Sequence, residues 1–94
     1  MDKDEILEYV HENNPDATMF VNPDFRDAII GYTENNEGLP VLVYDFNLMC
    51  DLLAEEYAQE DIEDPDVAAI EFIEYNTLRT LPYMGNGRPI IIYH

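Results

Sequence analysis

Apolar residues recur at helical spacing in three segments of the chain, and residues 64–82 form the clearest of them. Asp64 is a typical N-cap, Pro65 suits the first helical position, and Pro82 is expected to end the helix. On a helical projection, seven residues share one face: Ala69, Ile70, Phe72, Ile73, Asn76, Thr77 and Thr80. The pattern predicts one helix from Asp64 to Leu81 that buries this face and places Leu78 on the opposite side.

Asn76 is a polar residue on that otherwise buried face. A buried amide without a partner costs about 1–3 kcal/mol, so we expect Asn76 to hydrogen-bond to backbone. Its predicted role is to tie the helix to the sheet or to a loop, and a role in a binding site is the alternative.

Two further helices are predicted. Asp2 and Glu5 have the spacing of a capping box, and the helix that follows is expected to run for about ten residues, to Asn13. Another helix begins at Asp45 or Asn47, and five of its residues form one core stripe: Phe46, Met49, Cys50, Leu53 and Tyr57.

Four segments favour extended structure. Residues 28–33 and 39–44 are rich in branched and aromatic side chains and flank the polar loop 34–38, which predicts a β-hairpin with Pro40 at a strand start or edge. Residues 17–21 predict a short strand or a connector, and 22–24 a turn. The apolar run 89–93 predicts a strand that is buried on both faces or central in its sheet.

Together these elements predict a single α+β domain over residues 1–94. We expect a small, mainly antiparallel sheet, made of the hairpin and the C-terminal strand, packed against two helices, with an additional N-terminal helix.

The charge of the chain is extreme for its 94 residues, with a net value of −17. The four basic residues are Lys3, Arg26, Arg79 and Arg88. All of them lie outside residues 27–78, a stretch that contains fourteen Asp and Glu. Such a chain is expected to repel nucleic acid and anionic membranes and to be attracted to basic protein surfaces. Adaptation to high salt is an alternative, which the free use of isoleucine and asparagine disfavours.

The cysteine and hydropathy patterns predict a reducing, cytoplasmic location. The single cysteine, Cys50, cannot form an internal disulfide, which suits a reducing compartment. No apolar run approaches the roughly 20 residues that span a bilayer, and the acidic N-terminus lacks a signal-peptide pattern.

No catalytic, metal or cofactor motif is evident, so we predict a protein that is not an enzyme and holds no cofactor. The acidic run 60–66 lacks the spacing and turn glycine of an EF-hand, and His11, His94 and Cys50 do not form a zinc ligand set. Cys50 lies on a core stripe, where a thiol is usually inert. The loop 85–88 follows a helix and precedes a strand, the reverse of a phosphate-binding loop, so it predicts a plain turn.

The acidic residues themselves are therefore the candidate functional groups. Seven are predicted to bind a partner, and we call them the acidic surface: Asp51, Glu55, Glu60, Asp61, Glu63, Asp64 and Asp66. Neighbours one helical turn apart lie about 6 Å apart, and phosphates along one DNA strand are spaced on a comparable scale. A rigid array of carboxylates can thus present itself to a nucleic-acid-binding protein as a mimic of its ligand.

Four blocks of the sequence carry a family resemblance, namely DFRDAIIG (24–31), VYDFNLMCDLL (43–53), AIEFIEYN (69–76) and PIIIY (89–93). In their order, over residues 17–93, the chain resembles a family of small uncharacterised proteins common in bacteriophages and bacterial genomes. The resemblance implies a phage or prophage setting and assigns no catalytic residue.

The function predicted from these observations is a phage-type, non-enzymatic inhibitor. Its acidic surface would mimic nucleic acid and block a basic, nucleic-acid-binding host defence protein of the restriction or CRISPR type. Two alternatives remain open: an antitoxin or immunity-type binder of a basic toxin, and a small enzyme or ligand-binding domain with a cleft between sheet and helices.

Overall fold

The computed structural model describes residues 1–21 and 23–93. Asn22, the first residue of the predicted turn, and His94 lie outside the described residues. Six regular elements follow one another along the chain: α1 (Lys3–Asn13), β1 (Ile29–Glu34), β2 (Pro40–Asp45), α2 (Phe46–Gln59), α3 (Pro65–Phe72) and β3 (Ile90–Ile92). A 3₁₀ turn precedes β1 at Arg26–Ala28, and a π turn (Ile73–Thr77) and a 3₁₀ segment (Leu78–Tyr83) extend α3.

The three strands form one mixed sheet in the order β1-β2-β3. The predicted hairpin is confirmed, since β1 and β2 pair antiparallel with Glu34 opposite Pro40. The α+β class, with a hairpin, a C-terminal strand and an N-terminal helix, is confirmed as well. The C-terminal strand, however, runs parallel to β2, because the chain returns through α2 and α3 before it joins the sheet.

The central strand is β2, and every residue of it is buried. The prediction that the C-terminal apolar run is buried on both faces or central was wrong. Strand β3 lies at the sheet edge, where Ile90 is 41% and Ile92 38% exposed. Residues 39–44 are also a nearly continuous apolar run, and they take the central place instead. The composition of the two runs does not distinguish them, because the strand order decides which run is central.

The core lies where the sheet meets the helices. Its buried side chains come from every helix and from β1 and β2, including Leu7, Val10, Ile29, Leu42, Tyr44, Met49, Leu53, Ala69 and Ile73. The predicted stripe of α2 faces this core, with Met49 and Leu53 fully buried. The other three members of the stripe are partly buried against it: Phe46, Cys50 and Tyr57.

Helix α1 begins as predicted. The backbone N–H of Glu5 donates to the Asp2 carboxylate at 2.9 Å, and the Glu5 carboxylate accepts from the Asp2 backbone N–H at 3.4 Å, which completes the capping box.

The helix predicted from Asp64 to Leu81 differs from the structure at both ends. Asp64 has left-handed backbone angles, with φ 49°, and its side chain caps no N–H, although Pro65 does take the first helical position. At the other end Pro82 does not stop the helical path. It lies inside the 3₁₀ segment that continues to Tyr83.

The buried face of this segment was also predicted only in part. Ala69, Ile73 and Thr77 are buried, at intervals of four residues, whereas Ile70, Asn76 and Thr80 are exposed. A π turn holds more residues than an α turn, so a projection at 100° per residue fails beyond Phe72. Leu78, predicted on the outer face, packs against the core for this reason.

Asn76 does not have its predicted role, and Asn14 has that role instead. Asn76 is exposed and its side chain forms no hydrogen bond within the described part of the chain. Asn14 is 1% exposed, and its Nδ2 donates to the carbonyl oxygen of Pro40 at 3.0 Å. Its Oδ1 accepts from the backbone N–H of Asp16 at 3.2 Å. A buried amide thus ties the end of α1 to the start of β2.

The glycine-rich loop 85–87 is a turn, as predicted, and it joins distant parts of the chain. The carbonyl oxygen of Gly87 accepts from the backbone N–H and the Oγ1 of Thr18, at 2.9 and 3.2 Å. Asn35 Nδ2 donates to the carbonyl oxygen of Asn86 at 3.0 Å. Residues 17–21 form no regular strand and act as the extended connector that this loop holds in place.

Candidate partner-binding surface

The acidic surface is built on α2, on α3 and on the linker between them. Helix α2 begins at its cap Asp45, whose carboxylate accepts from the backbone N–H of Leu48 at 3.1 Å. Helix α3 returns against α2 and packs along it. The two helices therefore give the intervening carboxylates a fixed support.

The end of α2 is a Schellman motif with an aspartate at the position that glycine usually takes. Asp61 has φ 58°, in the left-handed region. The N–H of Ile62 donates to the Tyr57 carbonyl at 3.1 Å, and the N–H of Asp61 donates to the Ala58 carbonyl at 3.3 Å. With Asp64 also left-handed, the linker turns sharply at both ends and carries its carboxylates outward.

All seven residues of the acidic surface are exposed. The one ion pair among the described residues lies elsewhere, between Arg26 and Asp4 at 3.9 Å, and both of its side chains are largely exposed. No basic side chain in residues 1–21 and 23–93 thus forms an ion pair with the acidic surface. Its negative charge remains available to a partner.

Two titratable side chains of α2 lie in the negative field of this surface. Burial is the main cause that raises the pKa of the Tyr57 hydroxyl, and the carboxylates of Glu60 and Glu56 raise it further. Burial likewise raises the pKa of the Cys50 thiol, with Asp51 and Glu74 adding to the effect. Of the carboxylates that contribute to these shifts, Asp51 and Glu60 belong to the acidic surface.

Two members of the acidic surface are brought together in one groove. Asp51 of α2 and Asp66 of α3 line a cavity of about 320 Å³. Its other lining residues are Phe46, Asn47, Cys50 and Ile70. The remaining five members lie outside this groove.

Sequence reasoning missed the apolar part of this groove, because it assigned Phe46, Cys50 and Ile70 wholly to the core. Ile70 is 38% exposed, and Phe46 and Cys50 are only partly buried. No local signal in the sequence distinguished these residues from the core residues beside them.

A second groove holds Asn76. It has a volume of about 420 Å³ and is lined mainly by apolar side chains, with Asn76, Thr77 and Thr80 as its polar members. Within the described residues, every buried side-chain nitrogen or oxygen has a hydrogen-bond partner. No buried polar group of this part of the chain is thus left to orient a ligand.

Metal sites and membrane-spanning helices are absent from the described residues. No group of three or more His, Cys, Asp or Glu side chains in residues 1–21 and 23–93 is arranged to hold a metal ion. Over the same ranges, none of the helices has the length and apolar character needed to cross a membrane.

Compared with protein-family models, with curated proteins and with solved structures, the chain matches none. The resemblance to small phage-type proteins therefore stays a prediction.

Proposed function

We propose that this protein is a non-enzymatic, phage-type inhibitor that acts in the cytoplasm of a bacterial host. Its partner is a basic host protein that binds nucleic acid, of the restriction or CRISPR defence type. The acidic surface occupies the partner's nucleic-acid-binding site. The protein binds neither nucleic acid nor membrane directly, since its own charge repels both.

One observation carries the proposal: seven exposed carboxylates on α2, α3 and their linker form no ion pair with a basic side chain of the described residues. Like charges held together destabilise the compact state, and an opposite charge on a partner relieves that repulsion. Because carboxylates on a fixed helical support need little ordering on binding, they form a preorganised surface for a basic groove.

The test is a pull-down from host lysate in moderate salt, with identification of the captured proteins. Recovery of a basic nucleic-acid-binding protein, released as the salt concentration rises, is the expected result. Recovery of a basic toxin would replace the proposal with the antitoxin alternative. Recovery of no basic partner would refute both.

Charge-reversed variants make this test specific to the acidic surface. Glu55→Lys, Glu60→Lys and Glu63→Lys together should abolish capture. Asp61 is left unchanged because a lysine at its left-handed backbone position could destabilise the fold as well as reverse the charge. The matched control reverses three exposed residues on α1 and β1, Glu8, Glu12 and Glu34, and should retain capture. Equal loss of capture in both variants would show that net charge, and not this surface, recruits the partner.

A further inference from the structure

The groove between α2 and α3 combines an apolar lining with two carboxylates. Phe46, Cys50 and Ile70 supply the apolar side chains, and the exposed carboxylates of Asp51 and Asp66 supply the charge. Its volume of about 320 Å³ is near the lower limit of the roughly 300–1,000 Å³ typical of small-molecule sites. A groove of this size suits one long side chain better than a whole cofactor.

We propose that this groove receives a single arginine side chain of the basic partner, an inference that rests on the proposed function. The aliphatic stem of the arginine packs on Phe46 and Ile70, and its guanidinium pairs with Asp51 and Asp66. Anchors of this kind, an arginine in a partly apolar pocket, dominate the binding energy of many protein interfaces. The other carboxylates of the acidic surface then act mainly by steering.

The field in the groove favours a cation, although two helix N-termini lie near it. Phe46 and Asn47 begin α2, and Asp66 is in the first turn of α3, so the positive ends of both helix dipoles are close. The Cys50 thiol, which lines the groove, nevertheless has a raised pKa, mainly through burial and then through Asp51 and Glu74. Asp51 and Asp66 carry two full negative charges, against about half a positive charge at each helix N-terminus, so the lining is negative overall.

Arginine fits the lining better than lysine. Its planar guanidinium can stack on an aromatic ring while it donates to carboxylates, whereas an ammonium group is a strongly hydrated point charge. Phe46 offers such a ring, and it packs against Tyr93 with ring centroids 4.9 Å apart. Tyr93 is 59% exposed, so the aromatic surface continues outward from the groove.

Cys50 provides the readout, since it is the chain's single thiol and lines the groove. The experiment measures the rate of alkylation by iodoacetamide, a neutral reagent, in the intact protein. The probe is N-acetyl-arginine methylamide, compared with its citrulline analogue at constant ionic strength. An arginine seated in the groove should slow alkylation about twofold at half-saturation, because the covered thiol does not react. The citrulline analogue should leave the rate unchanged.

The direction of the change separates seating from simple charge attraction. A cation that binds near Asp51 without entering the groove lowers the pKa of Cys50, increases the thiolate fraction and speeds alkylation. Faster or unchanged alkylation would therefore overturn the proposal. Protection should disappear in the variant Asp51→Asn with Asp66→Asn. It should persist in Glu8→Gln with Glu12→Gln, which loses the same charge on α1.

Failure here and failure of the proposed function give different results. If a basic host protein is captured through the acidic surface but arginine does not protect Cys50, the groove proposal is wrong and the proposed function stands. If arginine protects Cys50 but the lysate yields no basic partner, the groove binds arginine and the proposed function is wrong.

Discussion

The Asn14 side chain lies against the backbone of Pro40, with Nδ2 donating to the Pro40 carbonyl oxygen at 3.0 Å in a site that is 1% exposed. This bond joins the end of α1 to the first residue of the central strand. The pair shows how the protein fixes its N-terminal helix on the sheet with one buried amide.

We expect Asn14→Ala to lower the free energy of unfolding by about 1–3 kcal/mol, because the buried carbonyl of Pro40 and the N–H of Asp16 lose their partner. Asn76→Ala is the matched control, since it removes the same amide from an exposed site, and it should change stability by less than about 0.5 kcal/mol. Urea unfolding of both variants measures the difference. Equal effects would contradict the buried role of Asn14 and the exposed position of Asn76.

Alanine should be tolerated at Gly31 but not at Gly87. A Cβ on Gly87 would overlap the backbone carbonyl oxygen of Asp16, whereas a Cβ on Gly31 would meet nothing within 4 Å. Gly87→Ala should therefore destabilise the fold by about 3 kcal/mol through overpacking. Gly31→Ala should stay within about 0.5 kcal/mol of the parent. Thermal melts followed by circular dichroism check both, and a tolerated Gly87→Ala would contradict the close approach of residues 16 and 87.

Asp61 allows backbone strain to be separated from charge. Asp61→Gly and Asp61→Ala remove the same carboxylate, but only glycine adopts φ near 58° without a steric penalty. The glycine variant should be more stable than the alanine variant by about 1 kcal/mol, measured as the difference in their unfolding free energies. Indistinguishable stabilities would argue against the left-handed turn at the end of α2.

Tyr44 should make stability fall at alkaline pH. Its hydroxyl oxygen accepts from the backbone N–H of Phe20 at 3.1 Å, and burial is the main cause that raises its pKa from 10.0 to about 12. Because the folded state holds this proton more tightly, the stabilisation is complete below the unfolded pKa and is lost as pH rises through the folded one. A difference of this size corresponds to about 2–3 kcal/mol.

The measurement is urea unfolding at about pH 9, below the unfolded pKa of 10.0, and at about pH 11.5, between that value and the folded pKa of about 12. Tyr44→Phe should be less stable at the lower pH by about 1–3 kcal/mol, because it leaves the buried N–H of Phe20 unpaired. It should also lose less stability on going to the higher pH. If the parent and Tyr44→Phe lose the same free energy of unfolding at the higher pH, the loss comes from the other tyrosines.

Local signals were sufficient for the elements that depend on neighbouring residues. The Asp2–Glu5 capping box sets the start of α1, the polar loop 34–38 sets the hairpin, and Asp45 caps α2. Each of these depends on contacts within a few residues, so the sequence determined them. Composition likewise determined the net charge of −17 and the absence of basic residues from the stretch 27–78.

Tertiary structure decided what depends on distant partners. It selected Asn14 over Asn76 as the buried amide, placed β3 at a parallel edge, and changed the helical pitch after Phe72. The candidate site divides in the same way. The sequence indicated which carboxylates are exposed, but it could not show that Asp51 and Asp66 line one groove. That groove exists only because α3 packs against α2, and helix packing is set by the shape of the whole core.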